Sequence, residues 1–460
     1  MSFNPRVFRE YDIRGNADRD LPDEFVATLG LALGTHWVRH GITRVAVGRD
    51  CRLHSPRLFA KLTDGIRKCG VSIIDVGVVA TPLLYYAVRH FGVDGGVQIT
   101  GSHNPPEDNG FKILRGPSTI HGSEIQELRQ LCESRDFATE TAMLAPMESQ
   151  DIVEPYLKMA QERIDLGPRR FKIVVDVGNG VGGPLVPLLQ RLGFDTIGLF
   201  VEPDGAFPNH HPDPTIEENV EALRAAINAQ GAELGIALDG DADRIGVVDS
   251  KGRVVWGDQL MILLARAILA EVPGATFVSE VKCSKALYDE IARAGGRAIM
   301  WKVGHSLIKE KMKEEHALLA GEMSGHIFFA HRYFGYDDAI YSGARLVELL
   351  SKSSATLSEH VDTLPHFFNT PEIRYPVSDE KKFELVRRVV MHYKASASPG
   401  GHEVVDVDGA RVTWPDAWAL VRASNTQPAL VLRFEATSAA RLAEVRAEVE
   451  ADLRRIEGAL

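Results

Sequence analysis

Residues 234–244 have the sequence Leu-Gly-Ile-Ala-Leu-Asp-Gly-Asp-Ala-Asp-Arg, in which a short apolar run ends in three carboxylates at alternate positions. The apolar run has the length and composition of a buried strand, and a helical pattern over 216–230 precedes it. Ligands of α/β sheets bind at the carboxyl ends of the strands. The stretch therefore predicts an α/β fold with a site where this strand ends.

Similar apolar runs recur through the first three-quarters of the chain and alternate with helical patterns. Besides 234–241, the predicted strands are 44–50, 72–78, 96–100, 171–179, 195–201, 275–281, 297–303 and 317–325. Helices are predicted at 56–69, 216–230 and 260–271. This alternation is typical of α/β units, and its grouping predicts three similar α/β domains.

The pattern changes after about residue 365. A helix is predicted over 379–395, strands within 403–423 and over 428–436, and a charged closing helix that reaches Arg455. We interpret this part as a smaller α+β domain. The predicted domains are 1–147, 148–253, 254–365 and 366–460.

Composition excludes several classes of protein. A chain of 460 residues is too long for one core, and 45% hydrophobic with 25% charged residues is typical of a globular protein. The formal net charge of −11 argues against a nucleic-acid-binding protein. The sequence also lacks an apolar leader, and Arg266 and Glu271 interrupt the most apolar helix pattern, so we expect a cytoplasmic protein without a membrane segment.

The cysteines are scattered and lack metal-ligand spacing. Neither a zinc site nor a disulfide framework is indicated, and reduced thiols are expected. The positions are Cys51, Cys69, Cys132 and Cys283.

A serine stands in the loop of residues 96–106, Gly-Val-Gln-Ile-Thr-Gly-Ser-His-Asn-Pro-Pro. Gly101 allows a sharp turn and a close approach to a ligand, and the two prolines stiffen the exit, so Ser102 is held in place. A plain surface turn explains the loop alone equally well. A hydrolase elbow is excluded because Thr100 and Asn104 stand where that motif needs glycine.

The aspartate loop, Asp239 to Arg244, favours a metal ion over a solvated turn, because it follows a buried strand and its carboxylates repel one another. Oxygen ligands indicate Mg²⁺ or Ca²⁺, and Mg²⁺ is favoured because a few carboxylates with a substrate phosphate suit its shell. An EF-hand fails, since Arg244 replaces its glycine and Ser250 its glutamate.

Two further loops offer groups for a substrate. Residues 321–326, Gly-Glu-Met-Ser-Gly-His, follow an apolar strand and suit sugar hydroxyls, although a lone histidine such as His326 is more often structural. Residues 422–426, Arg-Ala-Ser-Asn-Thr, form either an anion cradle or a polar turn. A single active-site cleft lined by these loops is expected.

Seven motifs in this order resemble the α-D-phosphohexomutase family, most closely its bacterial phosphomannomutase/phosphoglucomutase branch. They cover the chain from end to end: FREYDIRG (8–15), VGRD (47–50), TGSHNPPEDNGFK (100–112), DGDADR (239–244), KVGHSLIK (302–309), GEMSGH (321–326) and RASNT (422–426). The resemblance implies three similar α/β domains with mixed sheets and a smaller α+β C-terminal domain around a central cleft.

The resemblance also assigns expected roles to the motif residues. Ser102 would carry a phosphoryl group beside a Mg²⁺ ion that Asp239, Asp241, Asp243 and Ser102 itself hold. Arg14, Lys112 and His326 are expected catalytic residues, with Lys112 or His326 as the base because their pKa values can be tuned toward neutrality. The expected substrate contacts are Tyr11, His103, Arg244, Lys282, His305, Glu322, Ser324, Arg422, Ser424, Asn425 and Thr426. Among these, Glu322 and Ser324 would bind sugar hydroxyls, and residues 422–426 would form a distal phosphate site.

The implied activity is reversible conversion of hexose 1-phosphate and hexose 6-phosphate, for mannose and glucose, by a monomer. Glucose 1,6-bisphosphate would be its activator and intermediate, and phosphohexoses its partners. A phosphoglucosamine mutase is an alternative, although that branch shows glutamine where this chain has Met323. A non-catalytic phosphosugar sensor on the same fold is another.

Overall fold

Among the residues that the structure describes, four sheets, each built from one part of the chain, organise the fold. The computed structural model describes residues 3–138, 143–397, 401–424 and 428–460. Within these ranges, no helix combines the length and the apolar character that crossing a bilayer requires.

The first region contains a seven-stranded sheet and four α-helices, after a short 3-10 helix at Pro5–Val7. Its strands are β1 (Ile13–Asn16), β2 (Arg44–Arg49), β3 (Ser72–Val78), β4 (Gly95–Ile99), β5 (Asp108–Arg115), β6 (Ser118–Thr119) and β7 (Met147–Ser149). Its helices are α1 (Asp23–Arg39), α2 (Ser55–Lys68), α3 (Thr81–His90) and α4 (Ser123–Ser134).

The second and third regions each contain a five-stranded sheet. The second contains α5 (Val153–Glu162), β8 (Lys172–Asp176), α6 (Leu185–Arg191), β9 (Asp195–Leu199), a 3-10 turn (Glu217–Val220), α7 (Glu221–Gln230), β10 (Leu234–Leu238), β11 (Ile245–Asp249) and β12 (Val254–Val255). The third contains α8 (Gly257–Glu271), β13 (Thr276–Glu280), α9 (Lys285–Arg293), β14 (Arg297–Trp301), α10 (His305–Glu314), β15 (Leu319–Gly321), β16 (Ile327–Phe329), β17 (Tyr336–Asp337), α11 (Ala339–Lys352) and α12 (Leu357–Asp362).

These three sheets share one strand order. Each contains a set of four strands that follow one another in the chain. The second, the first and the third strand of the set lie side by side and parallel, and the fourth is antiparallel to the third. The equivalent sets are β3-β2-β4-β5, β9-β8-β10-β11 and β14-β13-β15-β16. The prediction of three similar α/β domains with mixed sheets is confirmed.

The C-terminal region has an antiparallel sheet with two long helices, as the α+β prediction requires. It contains β18 (Phe368–Asn369), β19 (Ile373–Pro376), α13 (Asp379–Ser396), β20 (Glu403–Val405), β21 (Ala410–Thr413), β22 (Ala417–Ala423), β23 (Ala429–Ala436) and α14 (Ala439–Glu457). Its own apolar core lies between the sheet and the helices.

The four sheets lie within residues 13–149, 172–255, 276–337 and 368–436. The domain limits given above stay a prediction. Strands β8 and β10 end earlier than predicted, because residues 177–179 and 239–241 leave the sheet as loops. The predicted helix at 216–230 begins with a 3-10 turn and becomes α-helical at Glu221.

One continuous core joins the first three regions, since apolar residues of α3 and α5 pack in the same cluster as those of the second and third sheets. The C-terminal sheet attaches to the third region through buried polar contacts. Arg411 of β21 donates from its Nη1 to the carbonyl of Cys283 at 3.0 Å. Its Cζ lies 3.3 Å from the ring centroid of Trp418 on the neighbouring strand β22. The end of β13 is thereby held against the C-terminal domain.

Helices α1 and α2 pack through small residues in the first region. A Cβ at Gly65 would lie 2.6 Å from the carbonyl oxygen of Ala27 and 2.7 Å from the backbone nitrogen of Leu31. Both atoms belong to the backbone of α1 and cannot rotate away. The glycine therefore sets the distance between the two helices.

We predict that Gly65→Ala lowers the free energy of unfolding by about 1–3 kcal/mol, because overpacking against backbone outweighs the gain of about 1 kcal/mol in helix propensity. Denaturant unfolding measures the change. Gly343→Ala in α11 is the matched control, since its added methyl would meet side-chain carbons of Ile236 and Leu185 at 3.3 Å, which can shift. Equal effects of the two substitutions would contradict the prediction.

Candidate active site

Three loops that carry the predicted site residues occupy equivalent positions in three sheets. Residues 100–107 connect β4 to β5, residues 239–244 connect β10 to β11, and residues 322–326 connect β15 to β16. Each loop thus joins the third strand of its four-strand set to the antiparallel fourth strand. The repeated strand order explains why loops distant in sequence carry groups to one place.

Ser102 is buried and faces the aspartate loop. Its Oγ donates a hydrogen bond to Asp239 Oδ2 at 2.9 Å and lies 3.0 Å from His103 Nδ1. The Ser102 backbone has φ +50°, in the left-handed region that costs a residue other than glycine on the order of 1–3 kcal/mol. The fold therefore holds this hydroxyl in a strained position beside the carboxylates, which the surface-turn interpretation does not explain.

His103 lies beside Ser102 in the serine loop. Burial, together with the charges of Arg244 and Arg14, holds the pKa of the His103 imidazole well below its ordinary value. A neutral ring next to Ser102 can accept or donate one hydrogen bond without adding charge.

The three aspartates lie at full burial with their oxygens converging. One ligand oxygen of each of Asp239, Asp241 and Asp243 lies within 4.8 Å of the others. Asp241 Oδ1 and Asp243 Oδ1 have no hydrogen-bond partner among the described residues, although both are buried. Burial and the neighbouring carboxylates raise the pKa of Asp239 well above its ordinary value. An oxygen-only set with unsatisfied, mutually repelling carboxylates fits a hard divalent cation.

Two groups of the first region bind the same carboxylates. Thr81 Oγ1, at the start of α3, donates to Asp241 Oδ2 at 2.6 Å. Lys112 Nζ donates to Asp241 Oδ2 at 2.7 Å and also to Asp243 Oδ2. Burial opposes a charge on Lys112, but the two aspartates outweigh it and raise its pKa. The expectation that the pKa of Lys112 is tuned toward neutrality does not hold in this arrangement.

Arg14 lies on β1 beside the serine loop. Its Nη2 donates to Asp12 Oδ2 at 2.7 Å, and its Nη1 donates to Asn104 Oδ1 at 2.9 Å. The charges of Asp12, Asp241 and Asp243 outweigh the cost of burial and raise the pKa of Arg14. Arg14 therefore supplies a fixed positive charge and not a base.

His326 joins the third loop to the second. Arg244 Nε donates to His326 Nε2 at 2.9 Å, so the neutral ring carries its proton on Nδ1. His326 Nδ1 lies 3.2 Å from Asp337 Oδ2 and 3.6 Å from Asp243 Oδ1. The second and third loops thus meet through an arginine, an imidazole and two carboxylates.

The sugar-binding candidates lie in the same loop. Glu322 is buried, and its Oε1 accepts a hydrogen bond from the backbone nitrogen of Gly304 at 2.8 Å, whereas Ser324 is partly exposed. His305, at the first turn of α10, has its ring 5.8 Å from that of His326 and 5.9 Å from that of Tyr11. Burial and Lys309 hold the pKa of His305 well below its ordinary value.

Val303 is the point where three regions meet. Its carbonyl accepts a hydrogen bond from Tyr11 Oη at 2.7 Å, and its amide donates to Asp408 Oδ2 at 3.0 Å. Arg422 Nε donates to the same Asp408 oxygen at 3.1 Å. Tyr11 is thereby linked to Arg422 through Val303 and Asp408.

The remaining predicted residues lie nearby or outside the described ranges. Lys282 Nζ donates to Glu372 Oε1 at 2.8 Å; burial opposes its charge, but Glu280 and Glu372 raise its pKa. The carbonyl of Ser424 accepts a hydrogen bond from Lys382 Nζ at 2.7 Å. Asn425 and Thr426 lie outside the described residues.

Several residues of the site escaped sequence reasoning. Thr81 and Asp337 contact the aspartate loop and His326, and Lys309 Nζ donates to Asp337 Oδ1 at 3.1 Å. Arg52 contacts the serine loop. None of the four stands in a loop that the sequence singled out for polar chemistry, although Arg52 follows the VGRD motif and Lys309 ends the KVGHSLIK motif.

Family comparisons cover nearly the whole chain. Residues 5–139, 154–252 and 256–368 match phosphoglucomutase/phosphomannomutase alpha/beta/alpha domains I, II and III, and residues 372–452 match the C-terminal domain of that family. The four matches follow one another in the order of the family's domains.

Individual relatives are similar over their full length. The chain is 44% identical over 456 residues to phosphomannomutase/phosphoglucomutase of Pseudomonas aeruginosa, which covers 99% of this chain and 96% of that protein. It is 42% identical over 442 residues to phosphoglucomutase of Neisseria gonorrhoeae, covering 96% and 95%. A crystal structure of a phosphoglucomutase/phosphomannomutase family protein from Burkholderia thailandensis superposes with a TM-score of 0.91 at 40% identity, covering 100% and 98%.

We predict that Mg²⁺ raises the free energy of unfolding, by about 2.7 kcal/mol at one hundred times its dissociation constant, because it relieves repulsion that only the folded state creates. Thermal unfolding with and without MgCl₂ measures the shift. Asp241→Asn should reduce it, whereas Asp195→Asn, an exposed aspartate at the start of β9, should not. An unchanged shift in Asp241→Asn would place the cation elsewhere.

Proposed function

The chain belongs to the phosphoglucomutase/phosphomannomutase family of isomerases, and we propose that it interconverts the 1- and 6-phosphates of mannose and glucose through a phosphorylated Ser102. The observation that carries this proposal is the position of Ser102 Oγ, buried and 2.9 Å from Asp239 Oδ2 at the convergence of three carboxylates. A phosphoryl group on this oxygen would lie directly against the site that suits a divalent cation.

The donor step needs alignment and neutralisation of charge more than covalent assistance. The bond between Ser102 Oγ and phosphorus breaks as the free hydroxyl oxygen of the hexose phosphate bonds to phosphorus, which forms a 1,6-bisphosphate. The hydroxyl proton passes to a base, and Ser102 Oγ takes up a proton from solvent to become a hydroxyl. Mg²⁺ held by Asp239, Asp241 and Asp243 would neutralise charge on the phosphoryl oxygens. Arg14 and Arg244 add fixed positive charge on either side of the serine loop.

The attacking hydroxyl must lose its proton to a base. Lys112 and His326 are the two candidates, and the contacts favour His326, since the carboxylates hold Lys112 as an ammonium ion. His326 Nε2 accepts from Arg244, so it can take the proton once a substrate phosphate or hydroxyl draws Arg244 away. Asp337 and Asp243, near Nδ1, would stabilise the imidazolium.

The second half of the reaction uses the other end of the intermediate. With one donor oxygen and one distal phosphate site at Arg422 to Thr426, the bisphosphate must turn end for end before Ser102 recovers a phosphoryl group. Turning exchanges the places of O3 and O4 of the sugar. A pair of hydrogen-bonding groups such as Glu322 and Ser324 can hold either orientation.

Two alternatives have less support. A phosphosugar sensor would need neither the strained serine nor the complete aspartate triad, and the similarity to named mutases extends over nearly the whole chain. A phosphoglucosamine mutase shares the architecture, and Met323 is the one residue that distinguishes the two patterns, so the amino sugar remains a minor candidate substrate.

We predict that Ser102→Ala loses at least about a thousandfold in kcat while the protein remains folded, because the donor oxygen is absent. Steady-state turnover of glucose 1-phosphate and intact mass measure the loss of activity and of one phosphoryl group. Ser72→Ala, at the start of β3, is the control, since its Oγ bonds the carbonyl of Thr43 away from the cleft. Normal turnover by Ser102→Ala would end the proposal.

We also predict that the kcat/KM values for glucose 1-phosphate and mannose 1-phosphate lie within about tenfold of each other, which corresponds to about 1.4 kcal/mol. The reason is that a site whose hydrogen bonds go to O3 and O4 distinguishes little between the two configurations at C2. Glucosamine 1-phosphate is the third substrate to assay, each with a trace of glucose 1,6-bisphosphate. A preference of several orders of magnitude for either hexose would refute dual specificity.

A further inference from the structure

We infer that Arg52 is a positioning residue, which sets the aim of Ser102 Oγ by clamping the backbone of the serine loop. Arg52 follows β2, and its side chain is fully buried. Its guanidinium donates to three carbonyls of that loop and to the carbonyl of the first residue of β5. The acceptors are Pro105 at 2.5 Å and Asp108 at 2.8 Å for Nη1, and Ser102 at 2.8 Å and Asn104 at 2.6 Å for Nη2.

The four N–H groups on Nη1 and Nη2 are all committed to backbone carbonyls. Arg52 Nε is buried and lies 3.3 Å from Asp50 Oδ2, an ion pair without a hydrogen bond. Arg52 therefore has no Nη donor left for a substrate or for a phosphoryl group. Its contribution to the site passes through the loop it holds.

Asp50 and Thr100 hold the amide side of the same loop. Asp50 Oδ2 accepts from the amide of Gly101 at 3.0 Å, and Thr100 Oγ1 accepts from the amide of Ser102 at 2.8 Å. Carbonyls bonded to Arg52 and amides bonded to these two acceptors surround the peptide units on both sides of Ser102. These two sets of hydrogen bonds explain how the loop holds Ser102 at φ +50°.

The fit of Gly101 depends on Arg52. A Cβ at Gly101 would lie 2.4 Å from both Cζ and Nε of Arg52. Gly101 is not one of the glycines with a positive φ. Its backbone conformation therefore does not by itself require glycine. The close approach that the sequence suggested for a ligand is instead an approach to the guanidinium.

The same arginine contacts the region that carries the aspartates. Its Cζ lies 5.2 Å from the ring centroid of Phe207, and a Cβ at Gly205 would lie 2.6 Å from Arg52 Cα. On the other side, a Cβ at Gly240 would lie 2.5 Å from the carbonyl oxygen of Ser102, the oxygen that Arg52 also binds. Arg52 thus fixes the serine loop relative to the aspartate loop.

This inference rests on the proposed phosphoryl transfer from Ser102, because the orientation of Ser102 Oγ affects the rate only if that oxygen takes part in the reaction. Lysine offers one compact ammonium and cannot replace a planar fork that spans four carbonyls. Relaxation of the loop would displace Ser102 Oγ from the cation site and leave Glu322 and Ser324, the proposed sugar-hydroxyl pair, unchanged. The defect would therefore fall on kcat and not on KM.

The test compares Arg52→Lys and Gly101→Ala in the full-length enzyme with Mg²⁺ present. Gly101→Ala removes no polar atom and acts only by displacing the guanidinium. We expect each to lower kcat about 100-fold at unchanged KM, and to slow phosphorylation of Ser102 by glucose 1,6-bisphosphate, followed by intact mass. Arg57→Lys is the matched control, because Arg57 Nη2 donates to the carbonyl of Ala17 at 2.8 Å, outside the serine loop, and its kcat should not change.

The outcomes separate this inference from the proposed function. The inference is overturned if a folded Arg52→Lys protein keeps the wild-type kcat. If Arg52→Lys does not unfold cooperatively, Gly101→Ala takes its place, and a wild-type kcat in that variant overturns the inference. A loss of unfolding midpoint with normal kcat in the folded fraction also overturns it, since that is a role in stability alone. Failure of the wild-type protein to acquire a phosphoryl group on Ser102 would instead refute the proposed function.

Discussion

Mutual repulsion of three buried aspartates is the constraint on which the site depends. Carboxylate charges less than 4.8 Å apart repel by on the order of 3 kcal/mol per pair, even at an effective dielectric constant of about 20. The fold gathers Lys112, Thr81 and Ser102 around them, and all three come from the first region of the chain. The need to neutralise the aspartates therefore also holds the serine loop against the second region.

The geometry of the site follows from repeated use of one sheet topology. The loops that carry Ser102, the three aspartates and Glu322 each connect two antiparallel strands at the equivalent place in three sheets. The shared core of the first three regions fixes the three loops relative to one another. The C-terminal domain reaches the same place differently, through Asp408 and the backbone of Val303.

Much of this arrangement was predictable from sequence because it is local. Strand β3 was predicted at its observed limits, and the aspartate loop was assigned because its three carboxylates follow one apolar run. The strands β5 and β11 were not predicted. Each pairs antiparallel with the strand before it in the chain, and this pairing arises only in the folded sheet. Contacts that join regions escaped for the same reason: Arg52 and Asp337 carry no local signal, and their partners are distant in sequence.

One residue role was also beyond sequence. Glycine at 101 suggested a conformational need or a ligand, yet its neighbour is a side chain about fifty positions earlier. Likewise, the pKa of Lys112 depends on two aspartates contributed by another region. Pattern reasoning finds the reactive groups, whereas the charges around them are a property of the assembled fold.

The hairpin placement of the three loops has a consequence for protein engineering. A hairpin connection can change its length or composition while the hydrogen-bonded register of the two strands behind it is retained. The serine loop, the aspartate loop and residues 322–326 are therefore separate connections on one scaffold. Exchange of residues 322–324 alone, with His326 retained, would alter the groups proposed to bind the sugar and leave the residues proposed for phosphoryl transfer in place.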